Sequence, residues 1–150
     1  MELEQLFPLE SQPALDVVVT TVPSDSHTWN LVFLQLLLLE QGHDVVNLGP
    51  CVPNTTLIEY CIDNRPDLVV VSSVNGHGFP DGMRLIAELR AQPLLSALPV
   101  VIGGKLGIRA EENVQYVEHL IEGGFDAVFE DGGGLRAFTS FVESLPVSVG

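Results

Sequence analysis

Five times along the chain, a short β-branched apolar run is followed by a segment with helical spacing. The runs are Leu15–Thr21 (LDVVVTT), Asp44–Leu48 (DVVNL), Asp67–Ser73 (DLVVVSS), Leu98–Ile102 (LPVVI) and Asp126–Glu130 (DAVFE). The runs are apolar at their centres without alternation, as strands of a parallel sheet covered on both faces are. The segments that follow them, about residues 28–41, 55–64, 81–91, 111–122 and 135–144, are predicted to be helices. Gly42 and the Gly123-Gly124 pair supply natural helix stops, and Asn54 stands where an N-cap belongs.

Strand and helix in strict alternation predict an α/β domain with a doubly wound parallel sheet of five strands, helices on both faces. Right-handed crossovers leave few topologies, and the flavodoxin-like (Rossmann-like) order 2-1-3-4-5 is the expected one. Residues 1–13 read as a short polar lead-in and residues 14–150 as one domain, which suits a length of 150. In such a sheet a ligand sits beyond the carboxyl ends of the strands. The loops to inspect are therefore Pro23–His27, Ser72–Gly78, Gly103–Lys105 and Asp131–Gly134, all rich in small or polar residues.

Composition excludes several classes. The hydrophobic fraction is 46% and the formal net charge −14, with a single lysine, Lys105. Such a surface repels a nucleic-acid duplex or an anionic membrane, so neither is expected as a partner. Leu31–Leu39 is interrupted by Gln35, is too short to span a bilayer, and is predicted to be a buried core helix. Glu2 and Glu4 stand where a signal peptide would be basic. Cys51 and Cys61 form neither a CxxC pair nor a disulfide framework, so a cytoplasmic, reducing location is expected. No His/Cys spacing suggests zinc, and His43 and His119 read as surface positions.

The familiar ligands of this fold fit poorly. The first loop has no glycine for a flavin phosphate cradle. Ser72 and Ser73 stand where a phosphate-accepting aspartate would be, and no GxGxxG follows the first strand. The first loop offers Asp25-Ser26-His27 instead. Imidazole is a good ligand for a transition metal, and a ligating histidine needs its second nitrogen held by an acceptor such as the carboxylate two residues earlier. The triplet is common by chance; its place after the first strand gives it weight.

Three loops together resemble the cobalamin-binding domains of mutases and methionine synthases. That family carries D-x-H-x-x-G after strand one, a serine-rich end to strand three and a Gly-Gly after strand four. This chain has Asp25-x-His27-x-x-Asn30, Ser72-Ser73-Val74-Asn75-Gly76-His77-Gly78 and Gly103-Gly104-Lys105, and Asn47-Leu48-Gly49 is similar to the family after strand two. Asn30 departs from the motif's glycine. The small size points within the family to the small subunit of glutamate mutase. The resemblance implies that His27 is the lower axial cobalt ligand (base-off, His-on), with Asp25 hydrogen-bonded behind it. It also implies that the displaced nucleotide tail enters a slot between the sheet and the first and last helices. Ser24, Ser72, Ser73, Gly103 and Gly104 would then be cofactor neighbours, with Ser73 at the benzimidazole end of the tail. The cofactor would be adenosylcobalamin, and the reaction the radical rearrangement of L-glutamate to 3-methylaspartate. A large TIM-barrel subunit would be the catalytic partner in a heterotetramer, since this chain shows no acid–base pair to turn over substrate alone. A corrinoid carrier for a methyltransferase, and a non-catalytic cobalamin-binding module, are the alternative readings.

Overall fold

The third strand is the clearest expression of the alternation. In the computed structural model, which describes residues 14–23, 29–73, 78–104, 113–130 and 135–145, β3 (Leu68–Ser73) is buried along its whole length. Its side chains go alternately to two separate cores, Leu68 and Val70 to one, Val69 and Val71 to the other. Strand geometry dictates this, because successive side chains leave opposite faces. Burying each of these side chains contributes about 1.5–3 kcal/mol.

The other strands are β1 (Asp16–Thr21), β2 (Asp44–Asn47), β4 (Val100–Gly104) and β5 (Ala127–Glu130). The helices are α1 (Trp29–Glu40), α2 (Asn54–Asn64), α3 (Gly78–Arg90), α4 (Asn113–Gly123) and α5 (Leu135–Ser144), with a 3-10 turn at Pro93–Leu95. The sheet order is β2-β1-β3-β4-β5 and every pairing is parallel, as the sequence predicts. One face carries α2, α3 and α4 through Leu57, Ile58, Cys61, Leu85, Ile86, Leu89 and Leu120. The other carries α1 and α5 through Leu31, Leu38, Phe138 and Val142.

The amino end of the sheet is tied by polar contacts. The Arg90 guanidinium at the end of α3 donates to the carbonyls of Leu95, Leu98 and Gly124 at 2.8, 2.7 and 2.8 Å and to the Asp126 carboxylate at 3.0 Å. Asp126 also accepts the Val100 N–H at 2.8 Å. One side chain thus joins α3, the 3-10 turn and the entries to β4 and β5.

Several expectations are corrected. β4 begins at Val100 rather than Leu98 and takes in Gly103 and Gly104. Pro99 has no N–H for the ladder, although its carbonyl accepts the Val69 N–H at 3.0 Å. α3 starts at Gly78, ahead of Asp81, with Pro80 in its first turn where a missing N–H costs nothing. Asn54 is not the N-cap of α2. That position is Pro53, without a side-chain cap, and the Asn54 amide donates to Glu88 at 2.8 Å. His43 is half-buried, and its Nδ1 accepts the Leu15 N–H at 3.1 Å. His119 is exposed, as expected. α1 is not buried all round: Leu31 and Leu38 face the core, while Val32, Phe33, Leu36 and Leu39 are exposed by 41, 52, 61 and 45%. The 3.6-residue turn places two faces on any helix, and here both are apolar.

Candidate functional site

At the carboxyl end of the sheet the apolar run gives way to hydroxyls and glycines. Thr20, Thr21, Ser72 and Ser73 are buried there, at 0 to 4% exposure. Buried hydroxyls cost free energy unless they are paired. The Thr21 hydroxyl donates to the Gly49 carbonyl at 3.3 Å, and that of Thr20 makes a 3.5 Å contact with the Thr21 carbonyl.

The register sets these residues in two rows. Thr21 pairs with Ser72, Ser72 with Gly103, and Gly103 with Phe129. By strand alternation from Val19, Val70, Val101 and Ala127, this row stands on the face covered by α1 and α5. Ser73 and Gly104 pair in the next row, on the opposite face. The two serines are therefore divided: Ser72 points to the side of α1 and α5, Ser73 to the side of α2, α3 and α4.

The glycines are required by the sheet itself. A Cβ at Gly103 would lie 2.8 Å from the Phe129 carbonyl oxygen. At Gly104, where φ is +108°, it would lie 2.0 Å from the Ser73 carbonyl oxygen. No side chain fits there, whatever approaches from outside. The consequence is a stretch of bare backbone at the rim of β4, beside Ser72 and Ser73.

The loop after β2 is pinned to this rim. The Asn47 carboxamide oxygen accepts the Gly49 N–H at 2.8 Å, its amide donates to Gln35 of α1 at 3.2 Å, and the Leu48 N–H donates to the Val19 carbonyl at 3.0 Å. Opposite stands an aromatic group: the Phe129 ring meets those of Phe138 and Phe141 edge-on, at centroid distances of 5.5 and 6.1 Å.

Of the residues singled out from sequence, the structure brings together Ser72, Ser73, Gly103 and Gly104. Ser24, Asp25 and His27 lie outside the described residues, as do His77, Lys105 and the Asp131–Gly134 loop. Sequence reasoning missed Thr21 and Phe129, which the register places in the Ser72 row. The signal was their position at the carboxyl ends of β1 and β5. Among the described residues no group of three or more His, Cys, Asp or Glu is placed to hold a metal ion. Burial pushes the Cys61 thiol up to about 12, so it offers no thiolate.

Comparison with known proteins gives a consistent picture. The B12 binding domain family matches residues 15–135. The glutamate mutase sigma subunit of Halobacterium salinarum is 31% identical over 128 residues, covering 85% of each chain. That of Fusobacterium nucleatum is 29% identical over 116 residues, covering 77% of this chain and 85% of its own. Among solved structures, a cobalamin-binding protein from Desulfitobacterium hafniense has a TM-score of 0.68 at 21% identity, over 93% of this chain and 63% of its own. A putative response regulator from Chloroflexus aurantiacus reaches 0.65 at 17% identity, over 87% of this chain and 95% of its own. These structural likenesses concern the fold. No helix among the described residues is long and apolar enough to cross a membrane.

Proposed function

The chain belongs to the B12-binding domain family, and from that premise we propose that it is the cobalamin-binding subunit of an adenosylcobalamin-dependent carbon-skeleton mutase of the glutamate mutase type. The observation that carries the reading is the row Thr21–Ser72–Gly103–Phe129. It runs along the carboxyl rim on the α1 and α5 face, where a nucleotide tail entering between the sheet and those helices would meet it. The residues present suit the cofactor in kind: small side chains and bare backbone permit close approach, and hydroxyls offer both donors and acceptors.

In this reading His27 would hold the cobalt through one ring nitrogen and Asp25 would accept the N–H of the other, which would fix the tautomer and make the ligating nitrogen a stronger donor. Ser24 is a polar neighbour of the corrin or tail. Ser72 offers its hydroxyl to the tail. Ser73, on the other face, is buried at the same level of the rim and in this reading would lie toward the benzimidazole end of the tail. Phe129 closes the row with an apolar edge. The cofactor supplies a cobalt–carbon bond as a radical source, chemistry that protein side chains lack. This chain binds, orients and tunes it, while substrate, L-glutamate giving 3-methylaspartate, is held by a large TIM-barrel partner in a heterotetramer. The identity with two glutamate mutase sigma subunits over most of both chains supports this reading over a methyltransferase carrier.

The test is an EPR spectrum of cob(II)alamin with nitrogen-15-labelled protein. The axial-nitrogen splitting is expected to change from the nitrogen-14 to the nitrogen-15 pattern in the wild type and not in His27→Ala. A spectrum that keeps the splitting of the cofactor's own base in the wild type, with and without a mutase large subunit, refutes His-on ligation.

A further inference from the structure

The outer face of α1 has no described partner, yet it is built like a core face. Val32, Leu36 and Leu39 recur at intervals of four and three, the spacing that puts side chains on one stripe, and Phe33 stands beside them. All four are exposed by between 41 and 61%. Gln35 is turned toward Asn47 of β2. Within α1 the sole charged residue is Glu40, at its end. Soluble chains rarely leave a contiguous apolar stripe of a few hundred Å² without a use for it.

We propose that the chain's own first segment, Met1–Pro13, lies along this face and covers Val32, Phe33, Leu36 and Leu39. The segment lies outside the described residues; its place of entry does not. The Leu15 N–H donates to His43 Nδ1 at 3.1 Å and the Leu15 carbonyl accepts the Asp44 N–H at 2.9 Å. The lead-in therefore joins the structure just beyond the carboxyl end of α1. A helix of 12 residues is about 18 Å long, and 13 extended residues reach roughly 40 Å, so the segment can run the length of α1. It carries Leu3, Leu6, Phe7 and Leu9 among Glu2, Glu4 and Glu10, the apolar content such a stripe requires.

Area and charge both select this occupant over a second copy of the chain. Stable dimers bury about 800 Å², or roughly 20–30 residues, per partner, whereas the stripe is four side chains. A dimer would also bring together two chains of net charge −14. A tethered segment pays no translational entropy to reach the face, so a small apolar contact suffices.

Hydrogen–deuterium exchange of the full chain tests the proposal against the variant Leu3→Ser/Leu6→Ser/Phe7→Ser. The amides of residues 32–39 are expected to exchange about tenfold faster in the variant, with β1 and β3 unchanged and both proteins monomeric in sedimentation. Unchanged exchange overturns the proposal, and so does a wild-type dimer that Leu36→Ser dissociates. A second measurement uses Cys51→Ser chains with Leu36→Cys and one of Leu3→Cys, Leu6→Cys or Leu9→Cys. Oxidation is expected to close a disulfide within one chain for at least one pair. Cross-links only between chains, or none, overturn the proposal. Neither experiment involves a cofactor, so its outcome is separate from that of cobalt ligation.

Discussion

Gly104 and Gly49 both have positive φ, at +108° and +92°, but their surroundings differ. At Gly49 an added Cβ meets nothing within 4 Å, whereas at Gly104 it meets the Ser73 carbonyl at 2.0 Å. Gly49→Ala is therefore expected to cost about 1 kcal/mol of conformational strain. Gly104→Ala should cost about 3 kcal/mol or more, because the rim of β4 must move. Urea unfolding of the two variants checks the order, and equal losses would contradict the geometry. His43 gives a pH prediction. Its pKa is lowered from the ordinary 6.5, chiefly by burial, with Asp44 opposing. As pH falls below about 6.5 the unfolded chain takes up this proton first, so the stability held by neutral His43 is present above that value and is lost as pH falls through the lower folded pKa. Stability against urea should decline over this range in the wild type and less steeply in His43→Phe. Sequence showed which loops hold small and polar residues at the carboxyl rim. Strand alternation alone parts Ser72 from Ser73; sequence did not show that Ser72 shares a row with Thr21 and Gly103, because that is register, set by the pairing with β1 and β4.

At the level of elements, the alternation of β-branched runs and helical segments was legible, and the last helix ends where the spacing predicts. The orientation of α1 was not. A segment reading WNLVFLQLLLLE has no polar face to betray which side meets water, so hydrophobicity alone predicts burial all round. The place of Asn54 was hidden for a related reason: a capping residue type was visible, while the Glu88 carboxylate that engages it comes from another helix. Arg90 was also invisible as a structural residue, since its carbonyl partners are gathered from the 3-10 turn, the entry to β4 and the α4–β5 link. Arg90→Ala should destabilise the fold by about 2–4 kcal/mol, leaving several half-buried carbonyls without their donor and Asp126 without its ion-pair partner. Arg90→Lys should recover only part of this, because an ammonium cannot reproduce the fork. Thermal unfolding of both variants measures the difference.

For the whole molecule, the fold was readable and the function was not readable from the fold. The same architecture matches a cobalamin-binding protein and a putative response regulator with nearly equal TM-scores, so the architecture alone does not tell such functions apart. The parallel sheet gives that rim a particular standing. All five strands run the same way, so Arg90 and Asp126 gather at one end and Ser72, Gly103 and Gly104 at the other, the length of β4 or roughly 10–15 Å apart. The energetic consequence is independence. Arg90→Ala and Ser72→Ala share no partner, so their effects on unfolding free energy should add to within about 0.5 kcal/mol. A double-mutant cycle that departs by more would reveal strain carried along the strands. If the cycle closes, the foundation and the carboxyl rim are separate modules in the engineer's sense, and the rim can be rewritten without rebuilding what supports it.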